Sequence, residues 1–443
     1  MDNEMTRKSR RCLFYGLCGA FLFVGSGAIL YADGWRIDVP TFAVKKVVAI
    51  YVRSFPADAN IALNGKPIKN KSGLLDHGTF ISGLFPKNYT LTLSAEGYRD
   101  WKEHVAVKPS LVSELKYAVL IPKTPEKVST TTAADFWIID GDPVVQNSAH
   151  GLSRQGEKLP GARVVGQTNN SKNILTENEK TKTYFLTDAS GDQPVSKNLN
   201  PIFTNLGLKP SGFSQIFQDP AGGNNLIIQN PHSILLFDST NSTLLLSEKS
   251  TTTIGHFAAS PSWFAWTHFN SQTNTSSVIL YNRSSKERID AGTLPGNTIK
   301  LAFSSTGDLG ILQDNGSFYI LKSGAGHADA IASSVKDFLF SPKGNFVAAL
   351  GNESIEIFAF NSDKDYWRFR LPDNGAVERL EWYADEAHLF VVYPDSVRFL
   401  DLNDKALENL PEIVSTSKAT YDSKSNVLYS LKDSRIWKLE FPK

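Results

Sequence analysis

The hydrophobic pattern begins with one long apolar run near the N-terminus. From Cys12 to Ala32 there are 21 residues without a charged side chain. A helix of this length rises about 30 Å, which matches the hydrocarbon core of a bilayer. The run has no polar face, although a helix buried in a soluble core should show one. The pattern therefore predicts a transmembrane helix over residues 12–32.

The residues at the two ends of this run predict its orientation. Four basic residues precede it: Arg7, Lys8, Arg10 and Arg11. Tyr31 and Trp35 suit the membrane interface at the other end. Because cytoplasmic flanks are rich in Lys and Arg, we expect residues 1–11 to be a cytoplasmic stub. The bulk of the chain is then extracytoplasmic.

A cleaved signal peptide is the alternative interpretation of the same run. Ser26, Gly27 and Ala28 are small residues at a spacing that suits cleavage. The apolar run nevertheless continues past them through Tyr31. We therefore favour an uncleaved anchor, which makes this a single-pass protein of the cell membrane.

After the run, the apolar residues recur with the short period of β-strands. Brief runs of Val, Ile and Leu alternate with polar residues and are interrupted by Gly, Pro, Asn and Ser. The 27 Phe, 14 Tyr and 8 Trp among the 443 residues agree, since aromatic residues favour strands. We predict a mainly β protein, and its length allows two or three domains.

Residues 48–122 have the pattern of a compact β-module. One strand ends at Pro56, and a second strand leads into Asn64-Gly65, a pair that favours a two-residue hairpin turn. Strict alternation resumes at Tyr89. The segment therefore predicts a small β-sandwich-like domain directly after the membrane span.

This order of strands and turns resembles the PEGA domain, a small β-module of bacterial surface and envelope proteins. The matching positions are Pro56, Ala59, Asn64, Gly65, Gly83, Leu84, Tyr89, Gly97, Tyr98 and Trp101. Ala57-Asp58 replaces the usual Glu-Gly, and Lys87-Asn88 replaces a Pro-Gly turn. The resemblance implies envelope association without catalytic residues, the module serving as a spacer or as an envelope-binding domain. The arrangement is also similar to membrane-anchored surface proteins of candidate-phyla-type bacteria.

Two short segments have the composition of linkers. Residues 33–47 lie between the predicted span and the β-module and form a juxtamembrane linker. Residues 123–134 contain Pro125, a small charged cluster and three consecutive Thr, which suit an extended connection. We therefore expect the next domain to cover residues 135–443.

That last domain repeats weakly with a period near 40. Phe303, Phe340, Trp382 and Tyr421 hold equivalent positions and are separated by 37, 42 and 39 residues. Earlier copies are placed at Phe217 and Ala259, and two poorer ones begin at Asp135 and Ala162. Each copy reads as three or four short strands, which is the signature of a β-propeller, here with seven or eight blades.

The last copy ends without an outer strand. A strand from the start of the domain would have to complete it, and this closure would also hide both sheet edges. The copies resemble the blades of WD-repeat and related bacterial propellers, with Ser341-Pro342-Lys343-Gly344 as the best instance, although the Trp-Asp signature is missing. The resemblance concerns architecture and implies no particular activity.

The composition supplies little catalytic chemistry. The 46 basic and 45 acidic side chains nearly cancel, so we expect no nucleic-acid partner. Cys12 and Cys18 both lie in the apolar run, and the eight His have no metal-ligand spacing. Nucleophile-elbow, P-loop and zinc-protease motifs are also missing from the sequence. We therefore expect no catalytic residue, no cofactor and no metal.

Two functions follow from these patterns. We favour an extracytoplasmic binding or scaffold protein of the bacterial envelope, whose propeller binds an envelope protein or a polysaccharide. The alternative is a propeller hydrolase or lyase that acts on glycans or peptides, with acids gathered in the central channel. Asp337, Glu381 and Asp422 are the candidate acids, but they do not share one register in the repeat.

Overall fold

The structure is a computed structural model with two compact units. One unit comprises Met1–Thr124 with Phe441–Lys443, and the other comprises Pro125–Glu440. The structure describes residues 7–38, 42–73, 77–108, 112–128, 132–166, 173–188, 194–360, 366–371, 377–404 and 410–442.

The first unit begins with the predicted apolar helix. Helix α1 (Arg7–Ala32) starts five residues before the uncharged run, because the basic residues before Cys12 continue the helical turn. Its part from Arg10 to Ala32 is long and apolar enough to cross a membrane, and its most apolar window has no buried residue. By length and composition, α1 is a candidate membrane span or signal sequence.

A small hairpin follows the helix. Strands β1 (Trp35–Asp38) and β2 (Ala43–Lys46) pair antiparallel in a separate two-stranded sheet. This hairpin lies within residues 33–47, the segment that the sequence predicts to be a juxtamembrane linker. Two strands of four residues each are too short for their alternation to stand out in the sequence.

The β-module contains seven strands in two sheets. They are β3 (Val48–Phe55), β4 (Asn60–Leu63), β5 (Lys66–Ile68), β6 (Thr79–Leu84), β7 (Asn88–Ser94), β8 (Trp101–Ala106) and β9 (Val112–Val119). The order is β6-β3-β9 in one sheet, where β3 and β9 run parallel, and β5-β4-β7-β8 in the other. Their apolar faces form one core around Ile50, Leu91 and Leu93. This arrangement agrees with a sandwich-like module.

The second unit is a ring of four-stranded sheets. Its first strand, β10 (Glu126–Lys127), belongs to the same sheet as the last three strands of the chain. Blade 1 holds β11 (Asp135–Ile139), β12 (Asp142–Gln146), β13 (Leu152–Arg154) and β14 (Glu157–Leu159). Blade 2 holds β15 (Arg163–Val164), β16 (Asn173–Asn178), β17 (Thr183–Asp188) and β18 (Val195–Asn198). Helix α2 (Asn200–Asn205) and a 3₁₀ turn (Pro210–Gly212) precede blade 3.

The middle blades repeat the same up-and-down order. Blade 3 holds β19 (Gln215–Gln218), β20 (Asn225–Asn230), β21 (Ser233–Asp238) and β22 (Thr243–Lys249). Blade 4 holds β23 (Phe257–Ala259), β24 (Trp263–Asn270), β25 (Thr275–Asn282) and β26 (Arg288–Pro295). Blade 5 holds β27 (Thr298–Phe303), β28 (Leu309–Gln313), β29 (Phe318–Leu321) and β30 (Asp329–Ala332).

The last blades complete the ring. Blade 6 holds β31 (Asp337–Phe340), β32 (Phe346–Leu350), β33 (Ser354–Ala359) and β34 (Tyr366–Arg370). Blade 7 holds β35 (Arg379–Trp382), β36 (His388–Val392), β37 (Val397–Asp401) and β38 (Glu412–Val414). Blade 8 holds β39 (Ala419–Asp422), β40 (Val427–Lys432) and β41 (Arg435–Glu440), with β10 as its outer strand. Within the described residues, the unit therefore has eight four-stranded sheets.

The first strand of each blade is the innermost one, because first strands of neighbouring blades contact each other, as β23 does with β27 and β11 with β39. The six repeat positions from Phe217 to Tyr421 all lie in such first strands. The two poorer copies correspond to blades 1 and 2. The predicted propeller is thus confirmed, with eight sheets in the ring.

The ring closes through a strand from its N-terminal end, as predicted. Glu126 pairs with Lys438, and the backbone N–H of Val128 donates to the carbonyl of Ile436 at 2.9 Å. The hydroxyl of Tyr429 in blade 8 also donates to the carbonyl of Gly141 in blade 1, at 2.9 Å. The closing strand, β10, lies in residues 123–134, the segment that the sequence predicts to be a linker. A strand of two residues has no alternation of apolar and polar positions, so the sequence does not reveal it.

Candidate functional site

The central channel of the propeller contains a cavity of about 640 Å³. It is lined by residues of the first strands of blades 3, 4 and 5, including Phe217, Ala259 and Phe303, and by residues of blade 2. Because these strands are innermost, the cavity lies where the blades converge. A cavity of this volume is within the range of ordinary ligand sites.

One wall of the cavity is aromatic. Phe213, Phe217, Phe257 and Phe303 all line it, and the rings of Phe217 and Phe257 lie 5.6 Å apart between centroids. Phe213 also packs against Tyr184, at 5.9 Å between ring centroids. Aromatic faces of this kind offer stacking area to the apolar faces of sugars and to ring or aliphatic side chains.

A charged cluster occupies the other side of the cavity. The carboxylate of Glu177 is only 2% exposed. Its Oε2 accepts hydrogen bonds from Nη2 and Nε of Arg163, at 2.7 and 3.0 Å. Its Oε1 accepts from Nζ of Lys182 at 2.8 Å and from the hydroxyl of Tyr184 at 3.3 Å. Glu177 therefore orients three side chains that line the cavity.

Strand pairing explains why these side chains meet. Arg163 at the start of β15 lies opposite Glu177 on β16, and Glu177 lies opposite Tyr184 on β17. Lys182 belongs to the tight turn between β16 and β17. Directly opposed residues on one face of a sheet interact, so three adjacent strands build the cluster.

The cluster holds its charges firmly at neutral pH. Burial acts to raise the pKa of Glu177, but the hydrogen bonds from Lys182 and Arg163 outweigh it and lower that pKa below its ordinary value. Burial and the adjacent Glu177 carboxylate raise the pKa of Tyr184 to about 12. Glu177 is thus ionised and Tyr184 protonated at neutral pH. This arrangement positions hydrogen-bond donors and is poorly suited to proton transfer.

A second cavity, of about 710 Å³, lies between blades 1 and 2. Trp137, His150 and Glu179 are among its lining residues, and Arg163 lines it as well. Nη1 of Arg163 binds Oε1 of Glu179 at 2.9 Å. Arg163 therefore lines both cavities.

The three candidate acids from the sequence are not brought together. Asp337 binds Nζ of Lys300 at 2.5 Å, and Glu381 accepts from the backbone N–H of Tyr421 at 2.9 Å. Asp422 accepts from the hydroxyl of Ser425 at 2.6 Å in the turn after β39. None of the three lines the 640 Å³ cavity. The bonds of Asp337 and Glu381 connect neighbouring blades, and the bond of Asp422 lies within its own turn.

The residues predicted to set the topology lie at the two ends of α1. Lys8, Arg10 and Arg11 are exposed at its start, and the position of Arg7 is the first residue of the helix. At the other end, the guanidinium of Arg36 lies 3.4 Å above the ring of Tyr31. The indole N–H of Trp35 donates to Asp33 at 3.1 Å.

The positions that resemble the PEGA pattern serve the turns and the core of the β-module. Asn64 and Gly65 both have positive φ, at 49° and 75°, and join β4 to β5 by a two-residue turn. Pro56 follows a cis peptide bond, and Gly83 and Gly97 have positive φ. The core positions are Ala59, Leu84, Tyr89, Tyr98 and Trp101. Their role is thus in folding the module.

Sequence reasoning missed the residues of the cluster around Glu177. The signal in the sequence is weak, because only Ile174 and Leu175 of the six residues of β16 are apolar and Glu177 does not stand out among its polar neighbours. A charged residue must find partners when it is buried, but the sequence of β16 does not show that Glu177 is buried. The blade was a poor copy of the repeat, and this hid the pattern.

Neither a family model nor a curated protein matches the chain. A chain in the crystal structure of a mitotic checkpoint complex is 12% identical, with a TM-score of 0.44, over 73% of this chain and 98% of that chain. Oligogalacturonate lyase in complex with manganese is 7% identical, with a TM-score of 0.46, over 72% of this chain and 99% of that chain. Kuenenia stuttgartiensis hydrazine synthase is 12% identical, with a TM-score of 0.42, over 65% of this chain and 98% of that chain.

Similarities at these levels assign no activity and no partner to this chain. Its class is defined by its own sheets and their closure into a ring. It is a β-propeller protein with an apolar N-terminal helix.

Proposed function

We propose that the chain is a membrane-anchored, extracytoplasmic binding or scaffold protein of the bacterial cell envelope. In this proposal α1 is an uncleaved single span with its N-terminus in the cytoplasm, supported by the exposed basic residues at its start. The β-module, in its resemblance to a PEGA domain, acts as a spacer or an envelope-binding module. The propeller binds a protein or glycan partner.

The observation that carries the binding assignment is the bonding of Arg163. Its guanidinium is oriented by the buried Glu177, and the residue lines both cavities. An oriented guanidinium next to aromatic faces recognises carboxylate, amide or hydroxyl oxygens on a ligand that stacks against the rings. Glycans and peptides both present such groups. We therefore place the binding site in the channel, on blades 2 to 5.

The test of this function measures retention on envelope material. Residues 34–443 are co-sedimented with isolated bacterial envelope fragments, before and after protease treatment of the fragments. We expect retention of the unchanged protein. Retention that survives protease identifies a polysaccharide partner, and retention that is lost identifies a protein partner. No retention in either case would overturn the envelope-binding proposal.

A matched pair of variants tests the position of the site. Arg163→Ala removes the guanidinium from both cavities, and Arg368→Ala removes an exposed one from the outer strand β34 of blade 6. We expect a loss of about tenfold or more in affinity for Arg163→Ala, which is typical of a lost charged hydrogen bond. Arg368→Ala should bind as the unchanged protein does. Equal binding by both variants, with unchanged circular dichroism, would contradict the channel site.

A separate measurement tests the topology. The full chain with a C-terminal tag is expressed in a bacterium, and spheroplasts are treated with protease. We expect the tag to be digested in intact spheroplasts and the N-terminal sequence of the membrane-bound protein to begin at its first residues. Protection of the tag would contradict the proposed orientation, and an N-terminus near residue 29 would show cleavage.

A further inference from the structure

The hairpin after α1 has an unusual distribution of apolar residues. Trp35 lies opposite Lys46, and Ile37 lies opposite Val44. Because side chains alternate across a strand, these four residues share one face, and Arg36, Asp38 and Lys45 share the other. Phe42 lies just before β2, at the tip of the hairpin.

The apolar face is the exposed one. The exposed fractions are 36% for Trp35, 65% for Ile37, 87% for Phe42 and 59% for Val44. On the other face, Asp38 is buried and its carboxylate binds Nζ of Lys45 at 2.6 Å. A soluble hairpin normally turns its apolar face inward, toward a core. Here the polar face is the more covered one, with Asp38 buried while the Lys45 side chain remains 38% exposed, so the apolar face is left for another environment.

Several contacts hold the hairpin at the C-terminal end of α1. Nη1 of Arg36 donates to the carbonyl of Tyr31 at 2.6 Å, and Nζ of Lys46 binds Oδ1 of Asp33 at 3.0 Å. The backbone N–H of Val47 donates to the carbonyl of Gly34 at 2.8 Å. These bonds connect β1 to the last turn of the helix, and β2 and the residue after it to the two residues that follow the helix. The position of the hairpin therefore follows the position of the helix end.

We propose that the face formed by Trp35, Ile37 and Val44, with Lys46 at its helix-proximal end and the exposed Phe42 just before β2, lies in the interfacial layer of the phospholipid membrane that α1 crosses. This inference rests on the proposed function, in which α1 is a membrane span. The span ends at Ala32, so the hairpin begins within a few residues of the headgroup layer. Aromatic and aliphatic side chains are favourable at that depth, where Trp is enriched in particular.

The charges of the hairpin agree with this assignment. Lys45 and Lys46 are already bonded to Asp38 and Asp33. Apolar burial then contributes more than attraction to anionic lipid, so contact with the membrane should persist in neutral phosphatidylcholine and at high salt. If contact of the hairpin with the membrane required anionic lipid, the hairpin would bind through its basic side chains instead.

The test places spin labels on the two faces of the hairpin in the full chain. Cys12→Ser and Cys18→Ser remove the native thiols, and single cysteines are introduced by Ile37→Cys, Val44→Cys or Lys45→Cys. The protein is reconstituted in phosphatidylcholine nanodiscs. Collisions of the label with oxygen report lipid, and collisions with a water-soluble nickel chelate report water. Lys45→Cys is the matched control because it neighbours Val44 but faces the other way.

We expect the labels at positions 37 and 44 to favour oxygen, with collision rates for nickel at least about fivefold below the rate at position 45, since interfacial side chains lie several ångströms below the headgroups. Equal nickel rates at positions 44 and 45 would overturn the inference. A label on the native Cys18, in the Cys12→Ser background, separates the two proposals. If that label is in lipid and position 44 is in water, the hairpin inference fails and the anchor stands. If that label is itself in water, both fail.

Discussion

Arg283 and Asp219 form a paired hydrogen bond between two blades of the propeller. Nη1 of Arg283 donates to Oδ1 of Asp219 at 2.7 Å, and Nη2 donates to Oδ2 at 2.5 Å. Asp219 follows the first strand of blade 3, Arg283 follows the third strand of blade 4, and the carboxylate is fully buried. The ring is thus held by specific ion pairs between blades in addition to apolar packing.

Removing one partner of this pair should destabilise the propeller strongly. Arg283→Ala leaves the Asp219 carboxylate buried without its cation, which costs about 3–5 kcal/mol in comparable proteins. We expect a clearly lower urea midpoint, measured by tryptophan fluorescence. Arg370→Ala, at an exposed and longer pair with Glu353, is the control and should leave the midpoint unchanged. Equal midpoints for both variants would show that the buried pair contributes little.

His388 should make the stability of the propeller depend on pH. Burial acts to lower its pKa, but the carboxylates of Asp385 and Asp401 outweigh it and raise the pKa to about 10, from 6.5. Because protonated His388 binds these carboxylates only in the folded protein, its contribution to stability is complete below pH 6.5. This contribution is lost as the pH rises from 6.5 to about 10. Over that window the free energy of unfolding therefore decreases as the pH rises.

The measurement for His388 is a series of urea midpoints between pH 6.5 and 9. The unchanged protein should lose stability as the pH rises, and His388→Gln should show a flatter slope because its side chain does not titrate. His327→Gln changes an exposed histidine and should keep the original slope. A slope that is the same in all three proteins would exclude the buried imidazolium as its source.

The closing strand can be tested by a disulfide. Glu126 lies opposite Lys438 in the sheet of blade 8, so Glu126→Cys with Lys438→Cys should form an intrachain bond under mild oxidation. Glu126→Cys with Glu440→Cys is the control, since diagonal neighbours are about 7–8 Å apart and beyond disulfide reach. Both variants carry serine at the two native cysteine positions. Equal oxidation in the two, measured by mass spectrometry, would contradict the pairing of β10 with β41.

Glutamine side chains also connect neighbouring blades. Nε2 of Gln229, at the end of β20, donates to the carbonyl of Gly255 in the approach to blade 4 at 2.9 Å. Gln146, near the end of the second strand of blade 1, makes the same kind of bond to Ala162 before blade 2. The amide therefore acts as a repeated contact between a second strand and the next first strand.

Gln229→Glu should weaken this contact in a pH-dependent way. An ionised carboxylate cannot donate to the Gly255 carbonyl and repels it, which costs on the order of 1–3 kcal/mol for a buried group. At low pH the protonated carboxyl can donate again, so we expect the decrease in melting temperature to be larger at pH 8 than at pH 5. Gln215→Glu changes an exposed amide on β19 and should show neither effect. A decrease that is independent of pH would contradict this interpretation.

Much of the fold could be predicted because its signals are local in the chain. The uncharged run from Cys12 to Ala32 specifies an apolar helix through length alone. The repeat positions from Phe217 to Tyr421 mark first strands, because alternation and turn residues act within one blade. Even the missing outer strand of the last copy was visible, and it required a closing strand from the start of the domain.

The rest was decided by tertiary structure, because it depends on which residues meet after the ring closes. Asp219 and Arg283 are 64 positions apart in the chain. Nothing in the sequence around either residue distinguishes it from an ordinary charged residue exposed to solvent. Arg163 is a candidate binding residue only in the folded structure, where strand pairing places it opposite the buried Glu177 and where it lines two cavities. Burial makes the loss of a partner costly for each of these charges. Burial depends on how the blades pack, and no single segment of the sequence contains that information.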